Sequence, residues 1–371
     1  MASLQSLFSS DYLTIDVGFR YIKIIQLRKK KNNDLTVMNY GIGDTPKGCI
    51  TNGAIKDKNR VVSEIKRVMT EHNLNAKEAK IVISGTNIIT RIMMIDKVPD
   101  AEVDKKAWEE INAYLPINFN EHSVDYKVVN TVMDEGKEKI KIFVTAVPKS
   151  IINSYIEILK NLNLKPISVD TPANSVSKFF RKDITHNEPE NWAKKQKYAK
   201  LNSNTFGVID LGSETTIVNI LNDKTPEFNR VFLMGSSNID ASILKGLGFE
   251  PNQLDKAERF KKMYGLMESY DSTRQEEWDC SESIRAVLNQ IIKNVKTSID
   301  FYISRCAGER LSKVYLIGGG SNLKGMKDFF ESELNMPVYS IKNISIGGLD
   351  FAPGLDREKI SFLVNAIGVA L

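Results

Sequence analysis

The chain has 371 residues, of which 42% are hydrophobic and 26% are charged, and its formal net charge is +5. These values are typical of a folded protein with two or more domains. So small a charge over this length gives no indication of nucleic-acid binding, and the sequence lacks the run of about eighteen apolar residues that a membrane-spanning helix needs.

The first clear element is a strand hairpin near the N-terminus. An apolar strand over 12–17 contains Asp16 and ends at Gly18, and an alternating strand returns over 21–25. A carboxylate within a buried strand is costly unless it is paired or faces a cation. The pattern therefore predicts that Asp16 holds a hydrated Mg²⁺ through water molecules, beside a turn that contacts phosphate oxygens.

The next stretch predicts an inserted α+β block. Residues 61–73 have helical spacing and residues 81–83 form a short apolar strand, which completes a strand-rich first half. From residue 85 to residue 164 the pattern changes. The predicted elements there are strands at 88–95, 124–133 and 140–147 and helices at 104–115 and 151–162.

Two features follow the inserted block. A strand over 166–169 leads through Asp170 into a helix that begins near Pro172. Asp170 is the only carboxylate at this corner, and capping of the helix is one explanation for it. The stretch 181–204 is polar and poor in aliphatic residues, which predicts a surface linker between two halves.

Residues 206–220 repeat the pattern of the first hairpin. An apolar strand contains Asp210, the chain turns at 212–215, and an alternating strand returns. The turn offers Gly212, small hydroxyl side chains and free backbone N–H groups, which suit phosphate oxygens. Most single Asp-x-Gly turns only close a hairpin, but two of them about one domain apart predict two similar halves that face one nucleotide.

A third glycine-rich element lies near the C-terminal end. Gly318, Gly319 and Gly320 follow an apolar strand over 313–317 and precede a helix. Glycine lets a flat ring approach the backbone closely. The spacing does not fit a Rossmann fingerprint, because Leu323 stands where the third glycine would be, and the chain contains no P-loop motif.

Two Asp-x-Gly hairpins followed by a strand-Gly-Gly turn resemble the actin, Hsp70 and sugar-kinase ATPase superfamily. Within it, residues 83–170 and the closing segment 366–371 resemble the PilM family, the actin-like and FtsA-related proteins of type IV pilus assembly. The resemblance covers essentially the whole chain. It implies an α/β protein with two RNase H-like halves around a nucleotide cleft and an FtsA/PilM-type 1C subdomain.

The resemblance also implies four subdomains. Subdomain 1A would comprise three separate pieces of the chain, 1C the inserted block, and 2A and 2B the second half. The predicted bounds are 1–84, 165–203 and 345–371 for 1A, 85–164 for 1C, 204–245 and 307–344 for 2A, and 246–306 for 2B.

MgATP is the ligand that the resemblance implies, with Asp16 and Asp210 holding Mg²⁺ through water. Gly235 matches a position where PilM relatives carry a glycine pair, and Lys23 matches a lysine that is common after the first hairpin. The predicted nucleotide-binding residues are Asp16, Gly18, Phe19, Arg20, Lys23, Asp210, Gly212, Ser213, Glu214, Thr215, Gly235, Glu258, Lys261, Lys262, Gly318, Gly319, Gly320 and Asn322.

The helical segment 254–265 contains Glu258 and Lys261, three residues apart on one face. In Hsp70-like proteins, a Glu and a Lys at this spacing hydrogen-bond the ribose and the adenine. An ordinary ion pair on a helix surface is the alternative interpretation.

Two features predict that ATP hydrolysis is slow or absent. Relatives carry Ser or Thr after the first Asp-x-Gly, whereas this chain has Phe19 and Arg20, of which Arg20 partly substitutes as a charged donor. Asp170 matches the superfamily residue that orients the attacking water, which makes it the candidate catalytic residue, although it is also explained as a helix cap. Hydrolysis needs a positioned water as well as charge neutralisation.

The predicted function is that of an ATP-binding scaffold of the type IV pilus inner-membrane assembly complex. The resemblance implies that the N-terminal cytoplasmic tail of a PilN-like inner-membrane protein lies extended between 1A and 1C, in a groove walled by residues 88–95 and 104–115. Other pilus components and a second copy of the chain are further candidate partners.

Two alternatives belong to the same superfamily. An FtsA-like cell-division filament protein normally ends in an amphipathic membrane-targeting helix after a linker, which the closing residues 366–371 do not resemble. A small-molecule kinase fits poorly with the inserted block, and Asp170 is its single candidate base.

The cysteines and the missing membrane span predict the location of the protein. Cys49, Cys280 and Cys306 have no metal-ligand spacing, and their odd number suits a reducing compartment. We therefore expect a cytoplasmic protein that reaches the inner face of the cell membrane through its partner.

Overall fold

The structure is a computed structural model and describes residues 11–186, 203–305, 309–342 and 344–371. Most of the predicted linker at 181–204, the first ten residues of predicted 1A, the beginning of the 307–344 segment and Cys306 lie outside the described residues. Within the described ranges, the chain forms two large mixed sheets, one in each half, and a smaller inserted sheet.

The first half begins with an antiparallel meander and its covering helix. Strand β1 is buried along almost its whole length, and β2 alternates more strongly because its other face is less covered. Helix α1 begins where the side chain of Asp57 accepts a hydrogen bond from the N–H of Arg60. The elements are β1 (Asp11–Val17), β2 (Tyr21–Lys29), β3 (Leu35–Asp44), β4 (Ile50–Thr51), β5 (Ala54–Ile55), α1 (Lys58–Glu71) and β6 (Glu78–Val82).

The inserted block is a three-stranded antiparallel sheet in the order β7-β9-β8, covered on one face by α2. Ala107 and Ile111 of α2 pack on Ile142 and Val144 of the sheet, and together they form a small separate core. The elements are β7 (Ile89–Asp96), α2 (Val103–Tyr114), β8 (His122–Asp134), β9 (Lys137–Pro148) and α3 (Lys149–Asn161).

Helix α3 lies inside the predicted bounds of 1C, but it packs elsewhere. Its residues Tyr155, Ile158 and Leu159 are buried in the core of the first half, against β1 and α1. By its buried residues α3 therefore belongs to the core of the first half, although it also contacts β9 of the inserted sheet. The remaining predicted subdomain bounds stay predictions.

Strand β10 (Lys165–Asp170) pairs in parallel with β6, and helix α4 (Pro172–Arg181) follows at once. Pro172 occupies the first turn of the helix, where its missing N–H costs nothing. A short strand, β11 (Ile184–His186), completes this passage. The corner between β10 and α4 thus fixes the backbone on either side of Asp170.

The second half contains its own sheet and four helices among the described residues. The long helix α7 buries apolar residues every three to four positions along one side, as its sequence pattern predicts. The elements are β12 (Thr205–Leu211), β13 (Thr216–Asn222), β14 (Thr225–Phe232), α5 (Ser236–Gly246), α6 (Leu254–Tyr264), α7 (Gln275–Arg305), β15 (Val314–Ile317), α8 (Met326–Leu334) and β16 (Val338–Ser340).

The C-terminal segment returns to the first half, as expected. Strand β17 (Ile344–Ile346) pairs with β18 (Leu349–Phe351), which joins the first sheet next to β3. Helix α9 (Ile360–Gly368) lies between the halves, because its apolar residues share one core with strands of both sheets. The end of the chain therefore connects the two halves.

The two halves repeat one strand order. In the first sheet β3-β2-β1-β6-β10 contains three antiparallel strands followed by two parallel ones, and in the second sheet β14-β13-β12-β15-β16 has the same arrangement. The predicted duplication is thereby confirmed, and it brings the ends of β1 and β12 to face each other.

Candidate functional site

The first hairpin closes in a tight turn between β1 and β2. The N–H of Gly18 donates to the carbonyl oxygen of Tyr21 at 3.0 Å. A Cβ on Gly18 would lie 3.0 Å from that same oxygen, which is closer than ordinary contact. The turn therefore favours glycine at this position.

The second hairpin closes in the same way. The N–H of Gly212 donates to the carbonyl of Thr215 at 2.9 Å, and a Cβ there would lie 2.8 Å from that oxygen. The N–H groups of Ser213 and Glu214 have no acceptor within the described part of the chain. Successive free N–H groups of this kind form an anion-binding concavity.

Asp16 and Lys23 form a buried ion pair at the end of the first hairpin. The two residues are register partners on β1 and β2, and Lys23 Nζ lies 2.8 Å from Asp16 Oδ2. Burial lowers the pKa of Lys23, but the charge and hydrogen bond of Asp16 and the charge of Asp210 outweigh it, so the net pKa is raised. Lys23 therefore remains protonated within the cleft.

Asp210 is the corresponding residue of the second hairpin and is 8% exposed. Its Oδ2 accepts a hydrogen bond from Asn365 Nδ2 at 2.9 Å, so its direct partner is neutral. Burial raises the pKa of Asp210; the charge of Lys23 and the bond from Asn365 offset part of this, and the charge of Asp16 adds to it. Two buried carboxylates thus share one lysine.

The three glycines after β15 pack closely against the second hairpin and α9. Gly318 has a φ of +81°, and a Cβ on it would lie 2.2 Å from Asp210 Oδ1. A Cβ on Gly320 would lie 3.0 Å from the carbonyl of Leu211, and one on Gly319 would lie 2.6 Å from the ring of Phe362. Glycine at these positions therefore lets this turn approach Asp210.

One ion pair from α6 crosses the cleft. Glu258 pairs with Arg20 of the first hairpin and, at 2.9 Å, with Lys262 of its own helix. Burial raises the pKa of Glu258, but its bond to Lys262 and the charge of Arg20 outweigh this and lower it overall. Lys261 lies 2.6 Å from Asp240 of α5. Glu258 and Lys261 therefore form ion pairs with other residues and not with each other.

A cleft of about 450 Å³ lies between the two halves. Every residue predicted to bind nucleotide lines it except Gly235. Gly235 lies directly behind the second turn, where a Cβ would come within 2.4 Å of the carbonyl oxygen of Ser213. Gly235 therefore supports the turn rather than the surface of the cleft.

A second pocket of about 370 Å³ opens between the inserted sheet and the first half. Its walls are β8 and β9 on one side and β10 with the start of α4 on the other. Both β8 and β10 are edge strands of their sheets. Edge strands present unpaired backbone groups to which an extended chain can add.

Two features are absent from the described residues. No helix in the described ranges is long and apolar enough to cross a membrane. Within the same ranges, no three His, Cys, Asp or Glu side chains gather into a direct metal-binding group.

The family of the chain follows from its sequence. The model of the family described as type IV pilus assembly protein PilM matches residues 14–371. The chain belongs to this family.

Solved structures show the same fold. A structure entitled PilM-PilN type IV pilus biogenesis complex superposes with a TM-score of 0.75 at 19% identity and covers 97% of each chain. EutJ from Carboxydothermus hydrogenoformans matches at 0.52 and 12% identity, over 97% of this chain and 88% of its own. MreB 5 of Spiroplasma citri, bound to AMPPNP, matches at 0.50 and 11%, over 97% and 94%. The predicted actin-like fold is thereby confirmed.

Membership of the PilM family favours pilus assembly over the FtsA-like filament and kinase alternatives. Two finer expectations drawn from the family resemblance do not agree with the geometry of this chain. They concern Asp170 and the walls of the groove.

Asp170 lines the second pocket and not the nucleotide cleft. Its carboxylate accepts hydrogen bonds from the N–H of Thr171 at 2.7 Å, from Asn174 at 2.8 Å and from Lys178 at 2.9 Å. Since these donors occupy the carboxylate on the far side of the corner, its position opposes a role in orienting water on a nucleotide. The bond to Thr171 fits the alternative role at the start of α4.

The groove between 1A and 1C has different walls from those predicted. Helix α2 covers the opposite face of the inserted sheet, and β7 is the strand farthest from β8. The second pocket is lined instead by β8, β9, β10 and α4. The sequence showed the alternation of apolar and polar residues in β8 and β9. It did not show which face of the sheet α2 would cover.

Several further residues that line the cleft escaped the sequence analysis, among them Asp240, Phe362 and Asn365. Asn365 is one of two polar residues in a largely apolar helix, which is a usable signal, because such a residue needs a buried partner. Asp240 and Phe362 carry no comparable signal, since each follows an ordinary amphipathic pattern.

Proposed function

We propose that this chain is a nucleotide-binding scaffold of type IV pilus assembly. It binds MgATP in the cleft between its halves and the cytoplasmic tail of a PilN-like inner-membrane protein in the groove between 1A and 1C. The observation that carries the proposal is the match of the PilM family over residues 14–371, joined to a cleft lined by both hairpins and the glycine turn.

The second hairpin would hold the phosphates. The free N–H groups of Ser213 and Glu214 and the hydroxyl of Thr215 are the available donors. The glycine turn at Gly318 to Gly320 would face the adenosine, since it lines the cleft next to this hairpin. Asn322, at the end of the same turn, would supply a polar contact there.

Asp16 and Asp210 would hold Mg²⁺ through its water shell. Both carboxylates are buried at the cleft, and their single shared lysine leaves them with an excess of negative charge. A hydrated divalent cation offsets such an excess. When bound, Mg²⁺ would neutralise charge on the phosphate oxygens.

Hydrolysis is expected to be slow or absent. The first turn presents Phe19 and Arg20 rather than hydroxyl groups, and Arg20 is paired with Glu258. The described lining of the cleft includes no carboxylate at the β10 corner, because Asp170 faces the other pocket. We therefore expect the protein to act by binding its partners rather than by catalysis.

The groove between β8 and β10 suits an extended peptide. Two edge strands border it, so a peptide can gain main-chain hydrogen bonds, and the side chains of Phe143, Val147 and Ile152 supply apolar surface. Such a peptide orders on binding, which limits the affinity. Binding would place the protein at the inner face of the cell membrane, through its partner.

Calorimetric titration of one sample with MgATP and with the partner's cytoplasmic tail tests both parts of this proposal, nucleotide binding and peptide binding. We expect saturable binding of each at separate sites. Ser123→Trp, on the pocket-lining end of β8, should abolish binding of the tail, whereas Thr131→Trp, at the other end of the same strand, should leave it intact.

Phosphate release completes the test. We expect turnover below that of kinases, whose kcat is about 1–100 s⁻¹. Substituting Asp170→Asn should leave any residual turnover unchanged. Failure of both ligands to bind, or turnover at kinase rates that Asp170→Asn removes, would contradict the proposal.

A further inference from the structure

The polar end of the second pocket contains a network built on Asp170. Three donors occupy its carboxylate: the Thr171 N–H, Asn174 and Lys178. Asp170 is 9% exposed, so water has little access to its carboxylate. The ion pair with Lys178 compensates its charge. This carboxylate is therefore already satisfied within the protein.

Lys127 enters the same pocket from β8. Its ammonium group donates to the side-chain oxygen of Asn174, a neutral amide, and lies 5.3 Å from the centre of the Phe143 ring. Asp125, two residues earlier on β8, accepts from the N–H of Tyr126 and is exposed. Lys127 thus has no carboxylate partner within the described residues.

The surroundings of Lys127 disfavour its charged form. Burial and the charges of Arg181 and Lys178 lower the pKa of Lys127 to about 8, and the charge of Asp170 offsets only part of this. The charged side chains that line the pocket are Asp125, Lys127, Asp170 and Lys178, and the last two are paired with each other. Lys127 is therefore the lining cation that no carboxylate of the described residues contacts.

A second observation points to a polar ligand. Thr171 is 5% exposed and lines the pocket, and its hydroxyl has no hydrogen-bond partner among the described residues. Buried hydroxyl groups are normally paired, either within the protein or with a ligand or water. The wall of the pocket that carries Asp170 therefore also contains a buried hydroxyl group without a partner.

We propose that this end of the groove binds an acidic side chain, Asp or Glu, of the peptide that occupies it. The proposal rests on the proposed peptide-binding function and specifies what the groove selects. A carboxylate there accepts a hydrogen bond from Lys127 and compensates its charge.

Other side chains fit the pocket poorly. A lysine or arginine would place another positive charge beside Lys127, and an apolar side chain would remove water from Lys127 without replacing the lost hydrogen bonds. An amide supplies an acceptor oxygen but no charge. The difference between a carboxylate and its amide is therefore the measurement that isolates the proposal.

The experiment uses the full chain and acetylated ten-residue peptides that walk along the partner's cytoplasmic tail. Each acidic residue is replaced in turn by its amide, and each peptide is titrated against the unsubstituted protein, Lys127→Met and Lys105→Met. Lys105 is the control, because it is an exposed lysine of α2 outside the pocket.

We expect one acid-to-amide replacement to weaken binding by about tenfold or more, as for a charge-assisted hydrogen bond. Lys127→Met should remove the difference between the acidic and amide peptides, and Lys105→Met should retain it, which is the signature of a direct coupling. Peptides that bind equally well with every acid replaced, or a tail that binds without an acidic residue, would overturn this inference alone. Absence of binding by every peptide would overturn the groove function and this inference with it.

A pH series on the unsubstituted protein gives a second readout that needs no variant to fold. Binding a carboxylate requires the protonated form of Lys127, whose pKa is about 8 in the free protein. The affinity of the acidic peptide should therefore fall between about pH 7 and about pH 9.5, while that of its amide analogue stays constant. Parallel profiles for the two peptides would contradict the assignment.

Discussion

The two hairpins of the cleft share a turn but differ in how each buried carboxylate is compensated. In both, a glycine N–H closes the turn onto the carbonyl three residues on. Asp16 has Lys23 opposite it on the returning strand, whereas Asp210 has Ile217 in the equivalent register position. Among the described residues, the direct hydrogen-bond partner of Asp210 is a neutral amide, that of Asn365.

This difference determines how far each carboxylate depends on a bound cation. The first carboxylate is already paired within its own hairpin, so the proposed Mg²⁺ would add to a compensation that exists without it. The second is destabilised by its own burial until a cation approaches. Natural proteins often retain such a cost at the point where a ligand binds.

Removing the charge of Asp16 should have the largest effect on stability. Asp16→Asn leaves Lys23 buried without its ion-pair partner, and breaking a buried pair in this way costs about 3–5 kcal/mol. Urea unfolding without nucleotide measures this loss. Because the penalty comes from the stranded lysine, the double variant Asp16→Asn with Lys23→Met should recover much of it. A loss below about 1 kcal/mol, as for an exposed pair, would show that the two hairpins do not differ in this respect.

Removing the charge of Asp210 should instead abolish the response to MgATP. At a free concentration 100 times Kd, binding to the native state stabilises the unsubstituted protein by about 2.7 kcal/mol. Asp210→Asn should lose this increment while remaining folded, and Asp134→Asn, an exposed change of the same kind on β8, should keep it. Thermal unfolding with and without MgATP makes the comparison. A full shift in Asp210→Asn would remove the assignment of the metal site.

The fold was predictable because its signals repeat. In each half, an apolar strand, an Asp-x-Gly turn and a returning strand of alternating residues predict the hairpin at the centre of the sheet. The topology around Asp16 and Asp210 follows from that pattern. The glycine turn was likewise visible in the sequence, where it was explained by the approach of a ligand. The structure adds a second reason, because a side chain at Gly318 would collide with Asp210.

The rest depended on contacts between distant parts of the chain. Asn365 reaches Asp210 only because α9 packs between the two sheets, and Glu258 meets Arg20 only because α6 faces the first hairpin. Local patterns do not specify such long-range partners. Asp170 is a different case, because its partners Asn174 and Lys178 follow closely in the sequence. Its motif position indicated the cleft, but the side chain lines the second pocket, which the packing of the inserted sheet beside β10 creates.

A smaller effect should appear in the stability of the protein without nucleotide. The pKa of Asp210 is raised in the folded state, so the unfolded chain ionises first as the pH rises above about 3.9. Stability is therefore lost as the pH rises through the folded pKa, and the cost persists at neutral pH. Asp210→Asn should raise the free energy of unfolding at about pH 7, and the gain should vanish below about pH 3.9. Unfolding curves at several pH values test this, and a destabilised Asp210→Asn at neutral pH would contradict it.

The smallest expected effect concerns the turn that lacks hydroxyl groups. Arg20 reaches across the cleft to Glu258, but its side chain is 36% exposed and Glu258 keeps a second partner in Lys262. Loss of a partly exposed pair that strands no charge costs about 1 kcal/mol or less, and salt screens it. Arg20→Ala should therefore shift the urea midpoint slightly at low salt and not at about 1 M salt, with Lys262→Ala, whose side chain is 65% exposed, smaller still. A loss above about 3 kcal/mol that persists in salt would mean that the Arg20–Glu258 pair stabilises the protein as much as a buried ion pair does. The hairpins would then differ in their contacts across the cleft rather than in how their carboxylates are compensated.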